Sequence, residues 1–325
     1  MTGPSLAERG THPPASRPVR GGGVSRRRVP GTRRKSRLSS GLPWILPALV
    51  LCVGLIYYCI GDTGYISTLN WDGISPNPQH IGAQNFSAIF HDPIFWGAVR
   101  HTVIFYVVTF TVQTALGMLF AVLLHSRVKL AVIYKIIIFV PVVLAPAIMA
   151  PVFREMFSPP GQFNTVLQHL GLGFLAQPWI GQESTALPVI MAITVWEWTG
   201  VTFVLYYAAI SQIETPIIEA ARLDGAGNAR IMRSIIWPSV SGTTVALATL
   251  GAIGALKTFD VPYLVSGGSM GPNNATQFLG TYIYQMTITL DHVGYGAALS
   301  MILLVIAVIF GVVLQVSAHK RSVMN

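Results

Sequence analysis

Apolar runs alternate with polar segments along the chain, and six of the runs are long enough to cross a membrane. A span needs about 20 residues to cover the hydrocarbon core. The runs are centred on 43–60, 101–124, 132–153, 187–210, 239–259 and 296–317. The first is uncharged from Leu38 to Gly61, the second from His101 to Ser126, and the third after Lys135. Glu197 interrupts the fourth. The pattern predicts an all-α polytopic membrane protein with six transmembrane helices. Pro141, Pro146 and Pro151 fall in the third run. They predict either a kink absorbed by neighbouring helices or a broken helix that lines a pathway.

One polar segment between the fourth and fifth runs has an internal order of its own. Thr215 before Pro216 suits an N-cap followed by proline at the first helical position. Residues 216–224 are good helix formers, and Gly225 stands where a left-handed turn would end that helix. A second short helix fits Asn228 to Ile236, with Ala229, Met232 and Ile236 on one face. Pro238 closes it. The loop 211–238 therefore reads as helix, glycine turn, helix, held at a membrane surface.

Composition agrees with a membrane protein. Of 325 residues 52% are hydrophobic and 10% charged, against about 25% charged in a soluble domain. Mean hydropathy is +0.57. The net charge of +9 is confined to residues 1–40, which carry ten Lys and Arg against Glu8; the other 285 residues balance to zero. Few apolar residues in 1–40 predict a disordered basic cytoplasmic tail without a core, so the high charge implies no nucleic-acid partner. The transmembrane domain is then 41–325. With the N-terminus inside, 18 of the 21 Lys and Arg lie on inner segments, and Arg100, Arg154 and Lys257 lie near outer ends. This bias places both termini and the loop 211–238 in the cytoplasm. Cys52 and Cys59, about 10 Å apart along one helix, are beyond disulfide reach.

The sequence excludes several activities. It has no G-x-x-x-x-G-K-[ST], no H-E-x-x-H, no close His or Cys cluster and no G-x-S-x-G, so neither ATP hydrolysis within this chain nor a resident metal or cofactor is expected. Two polar constellations remain inside the apolar runs. Trp196-Glu197-Trp198 sits at mid-depth, where an ionisable side chain needs a partner helix or a wet cavity. Successive helical positions turn by about 100°, so the two tryptophans point about 200° apart and one of them at most shares a cavity with Glu197. Lys257-Thr-Phe-Asp260-Val-Pro-Tyr263 closes the fifth run. Lys257 and Asp260 stand three apart, which suits pairing on one helical face. Trp196, Glu197, Trp198, Lys257, Asp260 and Tyr263 are the candidate pathway residues.

The loop also carries a resemblance. Glu219, Ala220, Ala221, Gly225, Ile235 and Pro238 match the EAA loop of bacterial ABC importer permeases, with Trp237 where that family usually has Leu. Asp224-Gly225-Ala226 is similar to the carbohydrate-uptake branch, the maltose and glycerol-phosphate permease type. Gly161, Asn164 and Leu167 resemble its G-x-x-N-x-x-L stretch, and Ser266 to Pro272 resembles its TGGGP-like segment. The likeness continues through Tyr282-Ile-Tyr284 and Gly294 to Ser300. It implies the type I importer architecture in the bacterial plasma membrane. It also implies a sugar or polyol substrate, a second homologous permease, two ATPase subunits that bind ATP-Mg, and an extracytoplasmic solute-binding protein. Glu219, Ala220, Ala221, Asp224 and Gly225 would then couple to the ATPase. The alternative function is a proton-coupled secondary transporter that uses Glu197, Lys257 and Asp260 as relay groups.

Overall fold

The computed structural model describes residues 38–125 and 129–323. The tail expected over 1–40 lies outside the described residues as far as position 37. The chain divides into two units, Met1–Leu55 and Ile56–Asn325. Helix α1 is Leu38–Ile66 and begins ahead of the expected start at 43. Every site residue singled out in the sequence belongs to the second unit.

After α1 come a two-residue antiparallel pair, β1 (Leu69–Asn70) and β2 (Gln79–His80), and α2 (Gln84–Phe90). Asn85, buried, donates to the carbonyls of Ser67 and Leu69 and so fixes this corner. Three long helices dominate the unit: α3 (Pro93–His125), α7 (Glu183–Ile210) and, at its end, α14 (Val293–Val323), and α3 packs along α7. Between α3 and α7 lie α4 (Ala131–Phe139), a 3-10 turn at Val140–Val143, α5 (Pro146–Met156) and α6 (Gln162–His169). Beyond α7 are α8 (Thr215–Leu223), α9 (Asn228–Ile231), a π-helical turn Met232–Ile236, α10 (Trp237–Ser239), α11 (Ser241–Leu256), α12 (Asp260–Val265), α13 (Leu279–Tyr284) and α14 (Val293–Val323).

Among the described residues, four segments are long and apolar enough to cross a membrane: Trp44–Ile66, Pro93–His125, Glu183–Ile210 and Val293–Val313. Two bent pairs bring the number to six if each counts as one span. In the first pair, Ala131–Val143 and Pro146–Met156, the halves bend by 96°. Leu144 and Ala145 are extended there, ahead of Pro146, as the residue before a proline favours. Of the two proline readings, the third span is therefore a broken helix. In the second pair, Asn228–Ser239 and Ser241–Leu256, the bend is 63°.

Two glycines explain how α7 is wrapped. A Cβ on Gly117 of α3 would lie 2.6 Å from Thr202 Cγ2 and 3.0 Å from the Phe203 nitrogen. A Cβ on Gly200 would lie 2.6 Å from the Ile138 carbonyl oxygen and 3.1 Å from Phe139 Cα. Small residues let helix backbones approach closely, as packing between membrane helices requires. Tyr206 of α7, fully buried, shares a 2.9 Å hydrogen bond with Thr244 of α11. Tyr106 of α3 donates to the Ala248 carbonyl at 3.0 Å. These ties gather α3, α7 and α11 around one space.

Candidate functional site

That space is a cavity of about 380 Å³. Glu197 and Trp198 from α7 line it, as do Lys257 and Asp260 from the end of α11 and the start of α12. Four of the six pathway residues singled out in the sequence thus meet in one place, although Glu197 and Asp260 are far apart in the chain. The other two lie elsewhere. Trp196 packs edge-on against Phe153 at 5.2 Å and faces a separate apolar groove with Val108, Val112 and Ile137. The 100° step of the helix separates the two tryptophans in this way. Tyr263 stacks on Phe259 at 5.0 Å and meets Tyr284 edge-on at 5.0 Å, which removes it from the cavity wall.

Lys257 and Asp260 do not pair, contrary to the expectation from their spacing. Helix α11 ends at Leu256, and Phe259 takes φ −141° and ψ −53° before α12 begins at Asp260. The i,i+3 geometry is lost at this break. Both side chains are exposed.

Glu197 is 3% exposed, and its Oε2 has no hydrogen-bond partner. Thr114 Oγ1, in the same wall, has none either. Thr109, Gln113, Thr194, Thr202 and Thr258 complete the polar lining. None of these was singled out from the sequence. A threonine in an apolar helix ordinarily satisfies itself on its own i−4 carbonyl. Thr109 does so on Phe105 at 2.6 Å and Thr194 on Ile190 at 3.0 Å. The available signal was the polar triplet Thr109, Gln113, Thr114 at helical spacing in an otherwise apolar run. Gln113 spans to the neighbouring helix and donates to the Thr194 carbonyl at 3.1 Å.

The loop residues form a second surface. Helix α8 starts at Thr215, one residue ahead of expectation, with Glu214 in the capping position and no side-chain cap. Gly225 has φ +80°. Its N–H donates to the Arg222 carbonyl at 3.0 Å, and the Ala226 N–H donates to the Ala221 carbonyl at 2.9 Å. This double closure is the Schellman motif, and glycine supplies its left-handed residue. Ile218, Ala221 and Ala226 pack inward on the cluster around Phe203, Tyr206 and Ile231. Glu219, Ala220, Asp224 and Gly225 stay exposed, beside Leu223 at 90% exposure. The turn Met232–Ile236 is π-helical, so the second helix is less regular than its periodicity predicts.

The G-x-x-N-x-x-L stretch has a structural explanation. Buried Asn164 donates to the carbonyls of Pro159 and Gln177, and its Oδ1 accepts the Trp179 indole N–H at 2.7 Å. A Cβ on Gly161 would lie 2.4 Å from the carbonyl oxygens of Glu155 and Met156. In the breaker Ser266 to Pro272, Gly267, Gly268, Met270 and Gly271 all have positive φ, and the Arg154 guanidinium lies against Gly267.

Long apolar helices around a largely apolar cavity that holds a few buried polar groups, with Leu223 of α8 exposed outside the spans, are the features of a membrane-embedded subunit. Residues 113–323 match the family described as binding-protein-dependent transport system inner membrane component. The chain is 31% identical over 266 residues to the probable ABC transporter permease protein YurN of Bacillus subtilis, an alignment that covers 81% of this chain and 90% of that one. It is 27% identical over 287 residues to the lactose transport system permease protein LacF of Rhizobium radiobacter, covering 87% and 95%. A crystal structure of a bacterial alginate ABC transporter, in complex with alginate pentasaccharide-bound periplasmic protein, shares the fold. Its TM-score is 0.72 at 19% identity, covering 86% of this chain and 96% of that one. The chain belongs to the family of binding-protein-dependent transport system inner membrane components, the ABC importer permeases. It is a multi-pass inner-membrane permease subunit, and the ATPase is a separate partner. The proton-coupled alternative is not favoured by these matches.

Proposed function

We propose that this permease carries a carbohydrate or related polyol inward through the cavity of α3, α7 and α11. The observation that carries the reading is Glu197: a carboxylate oxygen without a partner, held at span depth in a wall shared with threonine hydroxyls. Buried polar groups are ordinarily hydrogen-bonded, and an exception asks for a ligand or a functional role. Sugar hydroxyls are suitable donors, and Trp198, half exposed, offers a ring face to a sugar's apolar side. The lactose permease among the relatives supports the substrate class.

The helix pair α8–α9 docks on a separate ATPase subunit, with Leu223 and Ile217 as apolar contacts and Glu219 and Asp224 at the rim. Its close packing on the core beneath α7 gives motion at the ATPase a path to the cavity wall. The proposed complex has this chain, a second homologous permease, two ATPases that bind ATP-Mg, and an extracytoplasmic solute-binding protein. Both termini and the helix pair face the cytoplasm. Residues 1–40 form a basic tail ahead of the permease domain 41–325. Leu223→Cys, in a chain whose Cys52 and Cys59 are replaced by Ser, tests the docking and the sidedness together. It should resist an impermeant thiol reagent on intact cells and cross-link to the ATPase in inverted membranes. Labelling from outside, or no cross-link with the complex assembled, would overturn the assignment.

A further inference from the structure

Glu197 and Thr114 leave two buried oxygens unpaired in one cavity wall. A buried acceptor without a partner costs its full desolvation, more for a carboxylate than for a hydroxyl. The charged side chains that line the cavity are Glu197, Asp260 and Lys257: two carboxylates against one ammonium. Lys257 has no ion pair with either carboxylate. The wall therefore offers unpaired acceptors and an excess of negative charge, and it holds no guanidinium. An occupant that donates hydrogen bonds relieves Glu197, whereas one that brings its own carboxylate adds like charge beside Glu197 and Asp260.

We propose that the cavity selects non-anionic carbohydrates, neutral or amino-bearing, against uronates, with Glu197 as the specificity-determining acceptor. The inference rests on the reading of this cavity as the substrate pathway. It adds a charge class that the family membership does not supply. Asp260, exposed at the cavity mouth, contributes to the same discrimination through its charge alone.

The test uses the intact complex of this chain with its partner subunits in lipid nanodiscs. It is dialysed to equilibrium against three labelled probes of matched size: maltotriose, a glucosamine trisaccharide and a mannuronate trisaccharide. The expected result is binding of the first two about tenfold or more tighter than the third. Glu197→Gln removes the charge and keeps a carbonyl acceptor. It should improve mannuronate binding about tenfold and weaken maltotriose about threefold, as a charge-assisted bond becomes a neutral one. Asp260→Asn leaves the packed core untouched and should improve mannuronate in the same direction, by less. That variant keeps the test decisive if Glu197→Gln fails to assemble. Equal binding of mannuronate and maltotriose overturns the charge selection and leaves the pathway reading standing. So does a gap that neither substitution narrows. No binding of any probe overturns the pathway reading and the inference together.

Discussion

At the scale of single residues, Glu197 concentrates the chemistry. Glu197→Gln should preserve the fold and lower carbohydrate uptake, and Glu197→Leu should lower it further, since leucine offers no acceptor to a sugar hydroxyl. ATP hydrolysis stimulated by the binding protein should fall less than uptake in both variants, because the helix pair is untouched. Normal uptake by Glu197→Leu, measured with labelled sugar in whole cells, would move the pathway away from this residue. A second residue lies outside the cavity lining. Buried Tyr282 donates to the Asp92 carboxylate, which also accepts Tyr295 at 2.9 Å and the Ile94 N–H at 2.8 Å. Burial, and then the bond to Asp92, push the Tyr282 phenol above its ordinary range. A raised folded value contributes stability that is complete below the unfolded value of about 10 and declines as pH rises past it. Thermal denaturation of the purified complex should show Tyr282→Phe less stable by about 1.5–3 kcal/mol at neutral pH. The difference should shrink above about pH 10. A difference that stays constant to pH 11 would show that the phenol does not carry it.

At the scale of elements, the helix pair and the broken span are the parts that the sequence reveals most fully. Their signals are local: Pro216, Gly225 and Pro238 punctuate the loop, and Pro146 marks the 96° bend. A turn that needs φ +80° writes itself as glycine. Gly225→Pro cannot adopt that angle. It should leave the spans folded and abolish the coupling of ATP hydrolysis to uptake; undiminished ATP-driven uptake by the variant would refute the coupling role. The cavity is less legible, because convergence of three helix faces has no local signature. Thr109 and Thr194 look self-satisfied, and they are, while Thr114 and Glu197 differ only through what packs around them. The pairing expected of Lys257 and Asp260 failed for the same reason, since a helix break at Phe259 overrode their spacing. Gly200 is a further case: nothing in the sequence around it announces that the Ile138 carbonyl lies 2.6 Å from where its Cβ would be. Backbone cannot yield as a side chain can, so Gly200→Leu should destabilise by about 1–3 kcal/mol or more. A melting temperature equal to the parent's would show that the contact between α4 and α7 has room to spare.

At the scale of the whole molecule, one packed cluster joins the wall of the cavity to the exposed helix pair α8–α9. The family membership supplies the separate ATPase that the sequence, lacking a phosphate-binding loop, requires. The central claim is that ATP hydrolysis on other subunits drives carbohydrate through this chain. Its most direct test is uptake into proteoliposomes that hold the complete complex, with the loaded binding protein outside, ATP inside and a protonophore present. The claim predicts uptake that persists with the proton gradient collapsed, stops when ATP is omitted, and is lost in Gly225→Pro. Uptake that tracks the proton gradient while ATP is held constant would contradict it.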